Sequence, residues 1–367
     1  MKGTFVEAHI ADLHFGVIDP VVQLKIYREQ FIDKIKNLPL DIISIDGDLF
    51  HKRYLANNEV ITCVNLFIND LIELCIEKQC SLILIHGTES HDSHQFNIFY
   101  HYKNLPGLDI HIIETAQYIN IKGKEILCLP EEYNKGRQYY EELFRAKEYD
   151  ACYMHGTFVN SIYGKTYENL DSSQEPVFSM RNFWRCKGPI IAGHVHIAQC
   201  LEKHVYYTGS PIRWMFGEEN PKGFLILCHD LDTQHYYVHF EEIKSFRYDT
   251  IDLDELLLSD PNEVVKYLEN LHESGVDHIR LVIKKYTDNL PIIREYFRAA
   301  TWLKLEDKTK ALEALKRNEE EIKKYNGMDF LIDPNIDEYT KFVMYVNSQE
   351  GEEFITIDEL KKLLRGD

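Results

Sequence analysis

No stretch of this chain is apolar for long enough to cross a membrane, and no basic, apolar, small-residue leader stands at Met1. The expectation is a soluble cytoplasmic protein that is not exported. Positive charge is scarce as well: 41 Lys and Arg face 60 Asp and Glu, a formal net charge of −19. That balance argues against tight unaided binding to a polyanion, because sequence-independent nucleic-acid affinity comes mainly from neutralising phosphates. A nucleic-acid substrate therefore has to be held by local features, by bound metal or by a partner. Cysteine never falls into the paired short spacing of a zinc knuckle or ribbon. The eight cysteines (63, 75, 80, 128, 152, 186, 200 and 228) mostly sit inside apolar runs and read as buried free thiols of a reducing compartment. Internal repeats and low-complexity tracts are absent too. At 367 residues the chain exceeds one comfortable core, so two domains plus an extension are expected.

What the chain does have is a series of short apolar runs that each end in a carboxylate or an imidazole. Thr4 to Ile10 reads as a strand that delivers Asp12-Leu13-His14, and Asp41 to Ile45 as one that stops at Gly47 and presents Asp48, followed by Leu49-Phe50-His51. Ser81 to Ile85 opens onto the stretch from His86 to Asp92, in which His91 and Asp92 form a candidate acid and orienter pair. Tyr149 to Met154 ends in His155-Gly156, and Pro189 to Ala192 in Gly193-His194-Val195-His196. Residues two apart on an extended segment point the same way, so Asp12 pairs with His14 and His194 with His196. The carboxyl ends of strands are where α/β sheets keep their ligands.

This donor set contains carboxylate and imidazole but no thiolate, which suits Mn²⁺, Fe²⁺ or Zn²⁺ better than Mg²⁺. Two divalent ions held about 3.5–4 Å apart repel by roughly 19 kcal/mol at an effective dielectric of ~20. A pair therefore needs an anion between them, and Asp48 is assigned as that bridge. A dinuclear site with a bridging carboxylate suits phosphoester hydrolysis. His51-Lys52-Arg53 is a dense positive patch beside the site, and with Arg213 it supplies the candidates for holding substrate.

Elsewhere, Val21 to Ile35 has helical spacing with Pro20 in the first turn, and Asn58 to Cys80 is an amphipathic helix striped by Val60, Val64, Phe67, Leu71 and Leu74. Asp109 to Glu114 reads as a strand, Tyr118–Ile121 with Glu125–Leu129 as a hairpin, and Lys135 to Lys147 as a charged helix. From Val205 to about Glu242 strands follow one another without helices, as the second layer of a sandwich would. Strand, helix, strand, helix, strand then fills 246–306, a separate module. Lys308 to Tyr325 reads as a charged helical spacer. Beyond it lie Phe330 to Pro334, an aromatic helix with Tyr339, Phe342, Val343 and Val346, and a capping box at Thr356 to Glu359 before Leu360, Leu363 and Leu364. Two short amphipathic helices at such a place suit docking of a partner, or folding back onto the body.

Asp12-Leu13-His14, Gly47-Asp48-Leu49-Phe50-His51, His155-Gly156 and Gly193-His194-Val195-His196 resemble the motifs of calcineurin-like metallophosphoesterases. The Leu-Phe-His extension, Gly209-Ser210-Pro211, Phe216-Gly217-Glu218 and Lys222-Gly223-Phe224 are similar to the SbcD-type branch, the nuclease subunit of the SbcC–SbcD DNA repair complex. The likeness is in motifs to about residue 245 and architectural beyond. It implies an α/β fold, a four-layer metallophosphoesterase β-sandwich flanked by helices, with a small α+β capping domain and C-terminal helices. The domains would be a nuclease domain at 1–245, a DNA-positioning capping domain at 246–306, a charged helical linker at 307–328 and partner-binding helices at 329–367.

By the same resemblance Asp12, His14 and His196 would hold one ion, His155 and His194 the other, with Asp48 shared and Mn²⁺ the expected metal. His91 would protonate the leaving 3′ oxygen, oriented by Asp92, and His51 would contact the phosphate. The protein would be a DNA exonuclease, also an endonuclease, acting with an SbcC-type coiled-coil ATPase in the cytosol of a bacterium or of a virus-infected bacterial cell. It would dimerise through helices near Asn58–Cys80 and Phe96–Tyr102. One departure stands out: the family has Gly-Asn-His-Asp or Gly-Asn-His-Glu at the third motif, where this chain has Gly87-Thr88-Glu89-Ser90-His91-Asp92. Aligned on His91, Ser90 takes the place of the amide, and aligned on Gly87, Thr88 does. Register favours Ser90 as the ligand, and a hydroxyl there implies weaker binding of the second ion, or an added water. The rival readings are a phosphodiesterase for small nucleotides and a scaffold of the same fold that has lost catalysis.

Overall fold

The computed structural model describes residues 3–162, 177–256, 260–285, 290–310 and 336–348, with the isolated positions 356, 358 and 362. The chain is a mixed α/β protein that divides into two compact units, Met1–Thr250 with Leu268–Arg280, and Ile251–Tyr267 with Leu281–Asp367.

Two six-stranded sheets build the first unit. Its strands are β1 (Thr4–Ile10), β2 (Ile42–Asp46), β3 (Ser81–Ile85), β4 (Asp109–Ile113), β5 (Gln117–Ile121), β6 (Lys124–Leu129) and β7 (Ala151–His155). There follow β8 (Thr157–Phe158), β9 (Val177–Phe178), β10 (Ile190–Gly193), β11 (Gln199–Leu201), β12 (Val205–Tyr207), β13 (Gly223–Asp230) and β14 (His235–Glu242). One sheet runs β14-β13-β1-β2-β3-β4, with β1 to β4 parallel and β13 antiparallel to β1. The other runs β11-β12-β10-β7-β6-β5, parallel from β12 to β6 and antiparallel at both edges. The run of strands after Val205 is thus not one layer. β12 joins β10 and, with β11, extends the second sheet, whereas β13 and β14 return to cover the β1 edge of the first.

Both faces of the central strands are buried, as parallel sheets require. Leu82 and Leu84 of β3 join a core with the helix Glu59–Lys78, while Ile83 and Ile85 join a second cluster with Ala151 and Tyr153 of β7 and Ile191 of β10. Cys152, Met154 and Ile190 face a third cluster that includes Tyr140 and Phe144 of the helix Arg137–Ala146. Asn58 caps the long helix through its Oδ1, 2.9 Å from the Val60 amide, and Gln79 ends it at φ 56°. The stripe Val60, Val64, Phe67, Leu71 and Leu74 is fully spent on this core. The helix expected over 21–35 is interrupted: Pro20–Tyr27, capped by Asp19, passes through a wider π turn at Arg28–Ile32 before Asp33–Ile35.

A polar network interlocks the two sheets inside this apolar interior. His9 lies 2.9 Å from Asp46 and 3.2 Å from Glu7, and Glu7 also accepts from Lys124 and Tyr153. Burial alone would depress the His9 imidazole, but Asp46 and Glu7 hold it up at about 9. Burial would likewise raise Glu7, yet Lys124 and His9 hold it at about 2. The charges are paired on every side, the condition under which buried ions persist. Asp46 also reaches the candidate site, since its carbonyl accepts from the His155 Nδ1–H at 2.9 Å.

In the remainder, β15 (Tyr248–Asp252), β16 (His278–Ile283) and β17 (Leu303–Asp307) form a three-stranded sheet in that order and alternate with the helices Pro261–Glu273 and Leu290–Tyr296. The helix Glu338–Ser348 presents Phe342, Met344 and Tyr345 to solvent. Most of the expected spacer, the Phe330–Pro334 segment, and the capping box except Thr356 and Asp358 lie outside the described residues. No helix among the described residues is long and apolar enough to cross a membrane.

Candidate metal centre

The carboxyl ends of β1, β2, β7 and β10 meet at one rim, and the chain turns sharply as it leaves them. Asp12, His14, Asp48 and His194 all adopt positive φ, at 53°, 45°, 51° and 95°. Non-glycine residues held there store on the order of 1–3 kcal/mol each, a strain that clusters at functional sites. Asp12 and His14 are therefore gathered by a left-handed turn laced to the next loop, not by an extended segment. The Asp12 amide donates to the Gly47 carbonyl and the His14 amide to that of Asp48, each at 3.0 Å. Gly47 has no room for a Cβ, which would strike the His155 ring.

The side chains fall into overlapping groups. Asp12, His14 and His196 form one, and Asp12, Asp48 and His155 another. The Nε2 atoms of His14 and His196 face each other at 3.1 Å, with Asp48 Oδ2 at 3.6 Å from the former and Asp12 Oδ1 at 3.9 Å from the latter. Across the rim, His155 Nε2 lies 3.4 Å from Asp48 Oδ2 and 3.5 Å from Glu131 Oε2, and His194 Nδ1 lies 3.2 Å from the same Glu131 oxygen. Glu131, His155 and His194 make the third group. His194 and His196 thus serve opposite sides of the cluster, contrary to the expectation from a two-residue period, because His194 sits in its own turn after β10 ends.

Burial pushes the His14 imidazole down to about 3 and holds His196 well below its ordinary range, His14 adding to the effect. Asp12 rises to about 7, from burial and from the Asp48 charge, although His155 opposes it. Burial would lift Asp48 too, but His155 and His14 hold it well below the carboxylate range. The same pull lifts His155 well above 6.5 against its burial, through Asp48, Asp12 and Glu131. His155 has spent Nδ1 on the Asp46 carbonyl, and its buried Nε2 makes no hydrogen bond. Lone pairs and carboxylate oxygens thus converge where positive charge is wanted, and the donor set fits divalent cations.

His14, His51 and His91 form the fourth group, at the mouth of the cluster. The His91 ring lies 4.6 Å from that of His14 and 5.8 Å from that of His51. His91 is oriented differently from expectation. Its Nδ1–H donates to the His51 carbonyl, while the Asp92 carboxylate accepts from the Phe50 amide at 3.0 Å and the Gly87 amide at 2.8 Å. Asp92 therefore ties the Asp48 loop to the third loop instead of steering the imidazole. Ser90 is exposed on a turn, and it is Thr88 that faces the cluster. The Thr88 amide donates to Asp48 Oδ1 at 2.6 Å, and Thr88 Oγ1 lies 3.2 Å from Asp48 Oδ2 and 3.3 Å from Glu131 Oε2. Lys52 and Arg53 are exposed, and Arg213 donates to the Asn220 and Glu219 carbonyls at 3.0 and 3.5 Å.

Three further residues complete the surroundings. Trp214 lays its ring edge-on against His14 and His196, at 5.2 and 4.9 Å between centroids. Lys222, buried, donates to Glu218 and Ser210 at 2.7 Å and to the His196 carbonyl at 3.2 Å, which gives the Gly-Ser-Pro, Phe-Gly-Glu and Lys-Gly motifs a common task in holding the His196 loop. Glu131 is the residue that motif reading missed. Its signal was the one used elsewhere: β6 is an apolar run at the same rim, and Glu131 follows its end.

No family model matches the chain. Over 236 residues, 59% of this chain and 74% of the relative, it is 24% identical to "Putative phosphoesterase 244L" of Invertebrate iridescent virus 6. That distant likeness points to a phosphoesterase type, a hydrolase of phosphoester bonds. Among solved structures, one chain aligns over 65% of this protein and 100% of its own length at 12% identity and a TM-score of 0.38. A protein of unknown function from Aquifex aeolicus aligns over 43% and 79% at 17% identity and a TM-score of 0.23. Likenesses that faint carry nothing about chemistry.

Proposed function

We propose that this chain hydrolyses phosphodiester bonds in DNA at a two-metal centre of the calcineurin-like type, with Mn²⁺, one of the ions that suit its mixture of carboxylate and imidazole, as the expected metal. One observation carries the reading: Asp48 stands between two sets of buried donors, with His14 at 3.6 Å on one side and His155 at 3.4 Å on the other. Asp12, His14 and His196 would hold one ion, His155 and His194 the other, and Asp48 both. Bound, the pair would supply a water of lowered pKa and a clamp on the phosphate oxygens. His91, its Nδ1 committed to the His51 carbonyl, keeps Nε2 for carrying a proton to the leaving oxygen. The half-buried His51 lies beside His91 at the mouth of the cluster, which suits contact with the phosphate. Trp214 shields the His14 and His196 side from water.

The finer reading is an SbcD-type exonuclease, also cutting internally, that works as a homodimer beside an SbcC-type coiled-coil ATPase in DNA break processing, recombination or replication. The three apolar clusters, two outside the sheets and one between them, favour the four-layer sandwich. In the same scheme 246–306 positions DNA, and the exposed Phe342, Met344 and Tyr345 are suited to a partner's surface. A partner would also offset the charge of −19, which by itself favours a small-nucleotide phosphodiesterase. Turnover of linear duplex DNA and of a cyclic nucleotide, each with Mn²⁺, separates the two. DNA is expected to be the faster substrate, and rapid turnover of the cyclic nucleotide with duplex ends left intact sinks the nuclease reading.

A further inference from the structure

The third loop leaves the second set of donors one short. Where the motif it resembles supplies an amide, this chain has a threonine on the inside and a serine on the outside of the turn. The turn itself settles which residue enters: the His91 and Asp92 amides both donate to the Thr88 carbonyl at 2.9 Å, which winds Ser90 out to solvent and leaves Thr88 against Asp48. A hydroxyl lacks the reach and basicity of an amide oxygen. The space beyond it is filled by a residue that follows another strand, β6.

Glu131 is 4% exposed, and its Oε2 meets His155 Nε2 at 3.5 Å, His194 Nδ1 at 3.2 Å and Thr88 Oγ1 at 3.3 Å, while its Oε1 accepts from the Tyr133 hydroxyl. The Tyr133 contact fixes the carboxylate and leaves one oxygen aimed at the imidazoles. His155 Nε2 is wholly buried and makes no hydrogen bond, yet two carboxylate oxygens converge on it, Asp48 Oδ2 at 3.4 Å and Glu131 Oε2 at 3.5 Å, a spacing that a shared cation accommodates. We infer that Glu131 is a metal ligand at the second site, a carboxylate from the end of β6 that replaces the amide missing from the third loop. This rests on the two-metal reading and specifies it further. The second site would then carry its own negative charge besides the shared Asp48, so the second ion is bound firmly, the reverse of the weak binding that a hydroxyl ligand implies. Carboxylate in place of amide also tips the site toward Mn²⁺ or Mg²⁺ and away from softer ions.

Calorimetric titration of the full chain with Mn²⁺, checked by elemental analysis and by the electron paramagnetic resonance of the coupled pair, tests this without any activity measurement. Wild type is expected to take two ions. Glu131→Met keeps the length of the side chain but offers only a thioether, a poor donor to Mn²⁺. It should retain one tight ion, which also reports that the site still folds, and lose affinity for the other by more than about 100-fold, beyond the 10–100-fold typical of an outer-shell partner. The coupled signal should give way to that of an isolated ion. Glu131→Gln, which restores an amide oxygen, should bind the second ion more tightly than Glu131→Met. Should Glu131→Met weaken the second ion by 100-fold or less, or lose both ions alike, the assignment of Glu131 is overturned while the nuclease reading stands. Fewer than two ions in wild type would overturn both.

Discussion

Asp48→Asn is expected to reduce hydrolysis of linear duplex DNA in Mn²⁺ by at least ~10³-fold, equivalent to about 4 kcal/mol of barrier, with the fold intact. Asp48 lies within reach of imidazoles on both sides of the cluster, His14 at 3.6 Å and His155 at 3.4 Å. An amide of the same shape can still accept the Thr88 N–H that Asp48 Oδ1 now takes at 2.6 Å, so the loop that carries it has no reason to move. What it cannot do is place negative charge between two cations, whose mutual repulsion at an effective dielectric of ~20 is of order 19 kcal/mol. Initial rates on end-labelled duplex, with circular dichroism of the same sample, provide the check. A folded Asp48→Asn within tenfold of wild type would remove the bridge from the mechanism.

His91→Asn should cost ~10²–10⁴-fold on DNA, the range for loss of a positioned general acid, and far less on a p-nitrophenyl phosphodiester. An alkoxide leaving from DNA needs a proton in the transition state, whereas p-nitrophenolate leaves well without one. Bound metal should be unchanged, since His91 meets the cluster only at its mouth, through the His14 ring at 4.6 Å. The pair of substrates decides between roles. If both are slowed alike, His91 holds the phosphate or the metal and is not the acid.

Much of the candidate site was legible because strand ends can be read from where apolar runs stop. Asp12, Asp48, His155, His194 and His196 each follow such a stop, and that alone brings them to one rim, with His155 Nε2 at 3.4 Å from Asp48 and His196 Nε2 at 3.9 Å from Asp12. Local geometry was not legible. Alternation holds along a strand, but Asp12, His14 and His194 lie just past theirs at positive φ, where side-chain direction depends on hydrogen bonds to a neighbouring loop. The third loop failed for a related reason: counting back from His91 gives Ser90, whereas the turn around the Thr88 carbonyl exposes it. Asp92 looked like a partner for its neighbour His91, yet two backbone amides, Gly87 in its own loop and Phe50 from the Asp48 loop, compete for it and win. Glu131 also follows the stop of an apolar run, but what singles it out is sheet order, β6 beside β7 and β7 beside β10, which brings His155 and His194 to it. Sheet order also explains β13 and β14, whose sequence marks them as strands but not as neighbours of β1.

The proposed hydrolysis depends on these side chains caging a pair of cations. Anomalous diffraction from crystals grown in Mn²⁺ measures that directly. Two peaks per chain are expected with Asp48 between them, one bounded by Asp12, His14 and His196, the other by Glu131, His155 and His194. A single peak, or none, at a folded and fully occupied rim would contradict the proposal.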